Sequence, residues 1–201
     1  MVRGYAYVSS PIKKQSKKQK RRVRRWESGG WGTSRNLPQK IQKRQPVTSN
    51  ALTVVIDTIA TVDTTGGYIA YPVYIYNTTG QAIEFDAQDS RLYMKTQALS
   101  TNGEWKDIEY LPGSWCGNSY HRVTLPNKQY WKVNTPCYAG DIKTRLRIEL
   151  KYVDPTIKSD KWEDQKTITI YSNEYTGNIN PAQLWRKPGY TPYGLMDPYM
   201  D

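Results

Sequence analysis

Phenylalanine is almost missing from this chain: Phe85 is the single one, against 17 Tyr and 7 Trp. Rings that serve only to exclude water are commonly Phe, which brings no polar group needing a partner. Tyr and Trp suit places with an apolar body and a wet tip, such as subunit interfaces. Histidine is as scarce, with His121 alone, and there are two cysteines, Cys116 and Cys137. Two cysteines are too few for a disulfide framework. In a reducing compartment both read as free thiols, with pairing after release from a cell left open. No run of about 18 apolar residues occurs, so no membrane-spanning helix and no membrane partner are expected. The opening MVRGYAYVSSPIKK lacks the apolar stretch of a secretory signal, so export by that route is not expected.

Acid is missing too, but only at one end. Residues 1–50 hold 14 Lys and Arg against the single acid Glu27, a net of +13, while residues 51–201 hold 15 against 17, a net of −2. The whole excess of +11 therefore belongs to the first fifty residues. A block of like charge repels itself and carries little apolar surface to offset the entropy of ordering. It reads as an extended arm whose partner is a polyanion (nucleic acid, an acidic protein surface or anionic lipid), with a merely solubilising tail as the bland alternative. Lys13, Lys14, Lys17, Lys18 and Lys20 lead into the cluster Arg21, Arg22, Arg24 and Arg25. Arginine forks bind phosphate oxygens in pairs, whereas lysines supply point charge. If about ten such groups met phosphates, log K would fall against log salt with a slope of about −7 to −9. Trp26 and Trp31 could stack on unpaired bases, worth about 1–3 kcal/mol each, or plug into a protein groove.

Three zones separate by composition: a basic extended arm (1–50), a β-rich body (51–176) and a Pro/Tyr-rich extended tail (177–201). The body alternates short apolar runs with turn signals such as TTGG, NTTG and TNGE. ALTVVIDTIATVD, YIAYPVYIY, QAIEFD, SRLYMKTQAL, EWKDIEYL, YHRVTL, QYWKVN, KTRLRIELKYV and KTITIYSNEY read as strands. In the eighth, Leu146, Ile148, Leu150 and Tyr152 share one face, and Arg145, Arg147, Glu149 and Lys151 the other. That is a strand with one buried and one wet side. About nine strands and no amphipathic helix in the body predict an all-β fold, a single antiparallel β-sandwich with extended N- and C-terminal arms. The tail contains Pro181, Pro188, Pro192 and Pro198, so it holds no long helix or central strand. Its rings have no core of their own, which marks Trp185, Tyr190, Tyr193 and Tyr199 as subunit contacts.

Catalytic candidates are sparse. Cys116 and His121 in WCGNSYHRV could pair as nucleophile and base, or join Cys137 as metal ligands, but Cys-x4-His with one distant Cys matches no usual zinc spacing. A thiol–imidazole pair also wants an orienting group, and Asn118 is a weak one. ESGGWG follows a basic run rather than a strand and lacks the P-loop lysine. Asp86 and Asp89 fall in a turn. No catalytic residue, metal or cofactor is assigned, and the chain does not read as an enzyme.

A basic arm, one β-sandwich and a tail of scattered aromatics together resemble the small structural proteins of virus particles. That likeness implies an arm facing the genome, a sandwich in the shell, and neighbouring capsid subunits and nucleic acid as partners. The location it implies is the virion, after synthesis in the host cytoplasm. A second likeness spans Asn102 to Leu150, where NGEWKDIEYLPGSWCGNSYHRVTL and YWKVNTPCYAGDIKTRLRIEL resemble immunoglobulin-like proteins of Bacteroidetes-type bacteria and their phages. It favours an immunoglobulin-like topology over a compact jelly roll. An RNA-binding accessory protein and a secreted sandwich module are the alternatives from other classes.

Overall fold

Strict alternation in the body sets which residues face inward, and a computed structural model shows how the faces meet. It describes residues 6–11, 34–45, 47–63, 69–111, 119–157 and 165–184. In chain order the strands are β1 (Gln39–Lys40), β2 (Leu52–Ile56), β3 (Val62–Asp63), β4 (Ile69–Asn77), β5 (Ile83–Gln88), β6 (Arg91–Leu92) and β7 (Met94–Leu99). They continue with β8 (Trp105–Asp107), β9 (Tyr120–Leu125), β10 (Gln129–Pro136), β11 (Ile142–Val153), β12 (Thr167–Tyr171) and β13 (Tyr175–Ile179), followed by a 3-10 turn at Pro181–Leu184. Among the described residues there is no α-helix.

Every pairing among the described residues is antiparallel. One layer has the order β1-β10-β4-β2, with β3 also on β4; the other has β12-β11-β7-β8, with β13 also on β11. A smaller sheet, β6-β5-β9, completes the enclosure. The fold is thus the expected all-β antiparallel sandwich.

Inward residues from both layers form one core. Val73, Ile75, Trp131 and Val133 meet Met94, Ala98, Leu146, Ile148 and Leu150, all essentially without solvent contact. The lone phenylalanine is central: Phe85 meets Trp131 edge-on at 5.4 Å and Tyr152 at 6.1 Å. The predicted inward face of β11 is observed, with Leu146, Ile148 and Leu150 buried and Tyr152 packed on the core.

Turn chemistry explains the register. The NTTG turn is built by Asn77, whose Oδ1 accepts the Thr79 N–H at 3.1 Å and whose Nδ2 donates to the Gln81 and Leu125 carbonyls, each at 2.8 Å. Gly80 takes φ 91° there, a conformation that glycine adopts without strain. Asp89 and Ser90, both with positive φ, form the two-residue link that pairs Gln88 with Arg91.

Several expected strands are broken, each for a local reason. ALTVVIDTIATVD stops at Ile56 because the Asp57 carboxylate accepts the Ile59 and Ala60 N–H groups, at 3.0 and 3.2 Å. Such an Asx turn competes with the ladder, and Ile59 is left 98 % exposed. KTITIYSNEY divides into β12 and β13 around Asn173. The Asn173 amide accepts the Ile56 N–H at 2.9 Å and donates to the Ile56 carbonyl at 3.2 Å, standing in for a strand at the edge of β2. Asp86 lies within β5, where Arg122 faces it at 3.5 Å; burial raises its pKa, and Arg122 opposes that shift.

Two parts of the first fifty residues belong to the sandwich: β1, paired with β10, and the segment around Ala6 and Val8. Ala6 and Val8 are fully buried members of the core. Val8 N–H donates to the Ser90 carbonyl at 2.9 Å, and Leu92 N–H donates to the Ala6 carbonyl at 3.0 Å. Ser9 N–H donates to the Asn36 carbonyl at 2.9 Å, and Trp131 Nε1–H donates to the Ser9 carbonyl at 3.1 Å. Residues 6–11 therefore form a strap that closes the side of the sandwich between β6 and the 34–37 segment. The opposite side is framed by the outer edges of β2 and β12, which flank an uncharged groove of about 480 Å³. Toward the other end of the chain, β13 ends on Ile179, which is fully buried.

Candidate polyanion interface

The predicted binding residues Lys13, Lys14, Lys17, Lys18, Lys20, Arg21, Arg22, Arg24, Arg25, Trp26 and Trp31 lie outside the described residues. So do the tail contacts Trp185, Tyr190, Tyr193 and Tyr199, as well as Cys116 and Asn118. What the structure does define is the ground on which the basic segment stands.

Both flanks of that segment are fastened at one place. The Ser9 hydroxyl bonds to the Ser34 carbonyl, and the Asn36 side chain donates to the Tyr7 carbonyl at 3.0 Å and to the Lys132 carbonyl at 2.8 Å. Ser10 adds an acceptor for the Thr124 N–H at 2.9 Å. Residues 12–33, with nine Lys and Arg and the single acid Glu27, are thus joined to the sandwich at two neighbouring points rather than one.

The edge beside this clamp is itself cationic. β1 pairs with β10 through Gln39–Tyr130 and Lys40–Gln129, and Ile41 N–H donates to the Lys128 carbonyl at 3.1 Å. Arg35, Lys40, Lys43, Arg44, Lys128 and Lys132 lie on or beside this ladder. The two segments that build it, 34–56 and 126–140, carry those six cations and no acid. Among the described residues none of the six has an ion-pair partner, and Lys132 Nζ lies 5.8 Å from the Tyr74 ring centre.

Beside Lys132 is a tyrosine cluster on the outer face of this layer. Tyr74 and Tyr76, two residues apart on β4, stack at 5.8 Å with planes 11° apart. Tyr130 leans on both and donates its hydroxyl to Gln39 Oε1 at 2.9 Å. Burial pushes the Tyr76 phenol up to about 12, aided by the neighbouring Tyr74 and Tyr130. Tyr76 and Tyr130 are buried and Tyr74 is half-buried, so these rings are largely covered by each other and by the sheet.

The second layer handles charge differently. Lys95 is held between Asp107 at 2.5 Å and Glu149 at 3.2 Å, and Gln97 bonds both carboxylates. Arg147 lies between the Trp105 and Tyr171 rings, 4.2 and 3.7 Å from their centres. Its charge is spoken for.

The remaining chemical candidates are placed as follows. His121 sits on β9 with Nδ1 3.2 Å from the Ser119 carbonyl. Cys137 is half-buried, and burial raises its thiol pKa while a bond with Tyr71 opposes the shift. A raised pKa keeps the thiol protonated and a poor nucleophile. Buried Glu109 is occupied by the Thr96 N–H at 2.7 Å and by the Tyr138 hydroxyl. Among the described residues there is no group of three or more His, Cys, Asp or Glu placed to hold a metal, and no helix long and apolar enough to cross a membrane.

The six edge cations were not singled out from the sequence. The signal was available as two windows free of Asp and Glu, but their meeting is a product of the β1–β10 pairing.

Fold and site together define the class: an all-β antiparallel sandwich with a cationic edge. No family model, no curated protein and no solved structure matches the chain.

Proposed function

We propose that the chain is a structural subunit of a virus particle, a capsid or capsid-associated protein that binds nucleic acid through its basic segment. The observation that carries this reading is the clamp: nine cations within residues 12–33 are tied at both flanks to one spot on a rigid sandwich. A solubilising tail has no need of two anchors, whereas a segment that must present charge in a fixed direction does. The sandwich supplies shape, the segment supplies electrostatic affinity, and the tail aromatics Trp185, Tyr190, Tyr193 and Tyr199 supply contacts to neighbouring subunits. No catalytic step is assigned, and the working location is the particle after synthesis in the host cytoplasm.

The test replaces Lys13, Lys14, Lys17, Lys18, Lys20, Arg21, Arg22, Arg24 and Arg25 with Gln while keeping the strap. Full-length protein should purify with nucleic acid, read as a high ratio of absorbance at 260 to 280 nm, and form shells or rings by negative-stain microscopy. The substituted protein should fold and lose the nucleic acid. A full-length chain that stays monomeric while binding structured RNA would make it an RNA-binding accessory protein instead, and one that does neither sinks the reading.

A further inference from the structure

Charge on the two layers follows different rules. Residues 94–107 carry two cations and two carboxylates, and residues 141–179 carry seven of each. The β1–β10 edge and its flanking turns carry six cations and no acid. Like charges left unpaired on one edge repel each other and contribute nothing to the fold, so their concentration there calls for an external counter-charge. That edge adjoins the clamp through the Asn36 bonds to Tyr7 and Lys132.

We infer that the nucleic-acid footprint extends from the basic segment onto the sandwich, where Lys40, Lys128 and Lys132, with Arg35, Lys43 and Arg44, take phosphates of the sugar–phosphate backbone. This rests on the proposed function above. Taken together, the segment and the edge hold fifteen Lys and Arg against Glu27. A phosphodiester chain supplies charge at every repeat and matches such a surface along its length; a folded acidic protein presents carboxylates interleaved with other groups. Lys132 lies on β10, and Lys128 sits in the turn that leads into the strand, with φ 57°. Lys40 lies across the ladder from Gln129, next to Lys128 at the same end of β10. Binding here is backbone contact, which positions a nucleic acid without reading its bases. The half-buried Tyr74 ring beside Lys132 offers a stacking surface to an unpaired base.

The experiment measures fluorescence anisotropy of a 30-nucleotide oligo-dT and of a 30-base-pair duplex across a salt series. The full chain is compared with two variants of equal charge change. One removes edge cations (K40Q/K128Q/K132Q). The other removes cations of the balanced layer (K106Q/K143Q/K166Q). Each lost phosphate contact lowers the log–log salt slope by about 0.7–0.9, so the edge variant should lose about 2 to 3 from the slope. At about 0.1 M salt that corresponds to roughly 100- to 500-fold weaker binding. The balanced-layer variant should change the slope by less than one contact. A larger loss on oligo-dT assigns the edge to single strands, and an equal loss on both probes assigns it to backbone phosphate in either form. Equal effects from the two variants would mean that only net charge matters and would overturn the inference. If the edge variant binds like the full chain while the nine-Gln segment variant loses binding, the edge is excluded and the proposed function stands. If the full chain binds neither probe, the proposed function itself fails.

Discussion

The two layers of this sandwich share a core and a strand geometry yet treat charge in opposite ways. On the β12-β11-β7-β8 layer, Lys95 lies between Asp107 and Glu149, and Arg147 is stacked between Trp105 and Tyr171. On the β1-β10-β4-β2 layer, Arg35, Lys40, Lys43, Arg44, Lys128 and Lys132 have no carboxylate partner among the described residues. The first arrangement fixes side chains to each other and belongs to the fold. The second leaves cations to the solvent or to a partner, and it sits where the basic segment is fastened. Stability and binding are therefore expected to separate between the layers, and that separation can be attacked directly.

The largest effect is expected at the strap. Val8→Asp would bury an unpaired carboxylate in the core and should cost about 4 kcal/mol or more, enough to unfold a marginal domain. Denaturant unfolding should show this, while the nine-Gln segment variant should not lower the midpoint. An unchanged midpoint for Val8→Asp would show that the strap is not part of the core in solution. The same logic warns that deleting residues 1–46 removes core as well as charge, so loss of nucleic acid in that truncation would not isolate the role of the charge.

Next comes Gly140. A Cβ there would overlap the Ile179 backbone carbonyl, and the Gly140 carbonyl also accepts a bond from Asn178 at 3.0 Å. Gly140→Ala should cost about 1–3 kcal/mol by forcing β13 away from the loop, measured by thermal unfolding. The lysine pair sharpens the contrast most directly. Lys95→Ala leaves the carboxylates of Asp107 and Glu149 facing each other with little solvent and should cost about 1–3 kcal/mol. Lys132→Ala should change stability by no more than about 0.5 kcal/mol. Equal costs would erase the distinction between the layers.

The smallest effect is in alkaline pH. Burial raises the Tyr76 and Tyr93 phenols to about 12 from their ordinary 10. The folded state holds these protons longer than the unfolded chain does, so the associated stability is fully present below pH 10 and is lost as pH rises through 12. Tyrosinate absorbance near 295 nm should show a late-titrating fraction, with the melting temperature falling from pH 10 upward. A single titration step near 10 in the folded protein would contradict this.

Much of the fold was legible because alternation is a local signal. β11 could be read residue by residue from TRLRIELKY, and the NTTG turn from its Asn and Gly. The breaks were less legible, since Asp57 ends β2 by a side-chain bond that competes with a ladder otherwise favoured by ALTVVI. The strap shows the limit most clearly. YAYVSS does alternate, placing Ala6 and Val8 on one side, but a net charge of +13 in the first fifty residues outweighs that short pattern in any reading by composition. The site divides in the same way. Residues 13–31 announce themselves by charge density, while Lys128 and Lys132 are ordinary lysines until Gln39 and Lys40 pair beside them.

By itself the sequence determined the class of fold and the location of the charge excess, because side-chain period and charge density are properties of neighbouring residues. Only the tertiary structure decided that Ala6 and Val8 complete the core, that Ser9 and Ser34 meet, and that two acid-free windows far apart in the chain form one edge. Those facts depend on contacts between distant segments, which the register of an antiparallel ladder creates and no local pattern encodes.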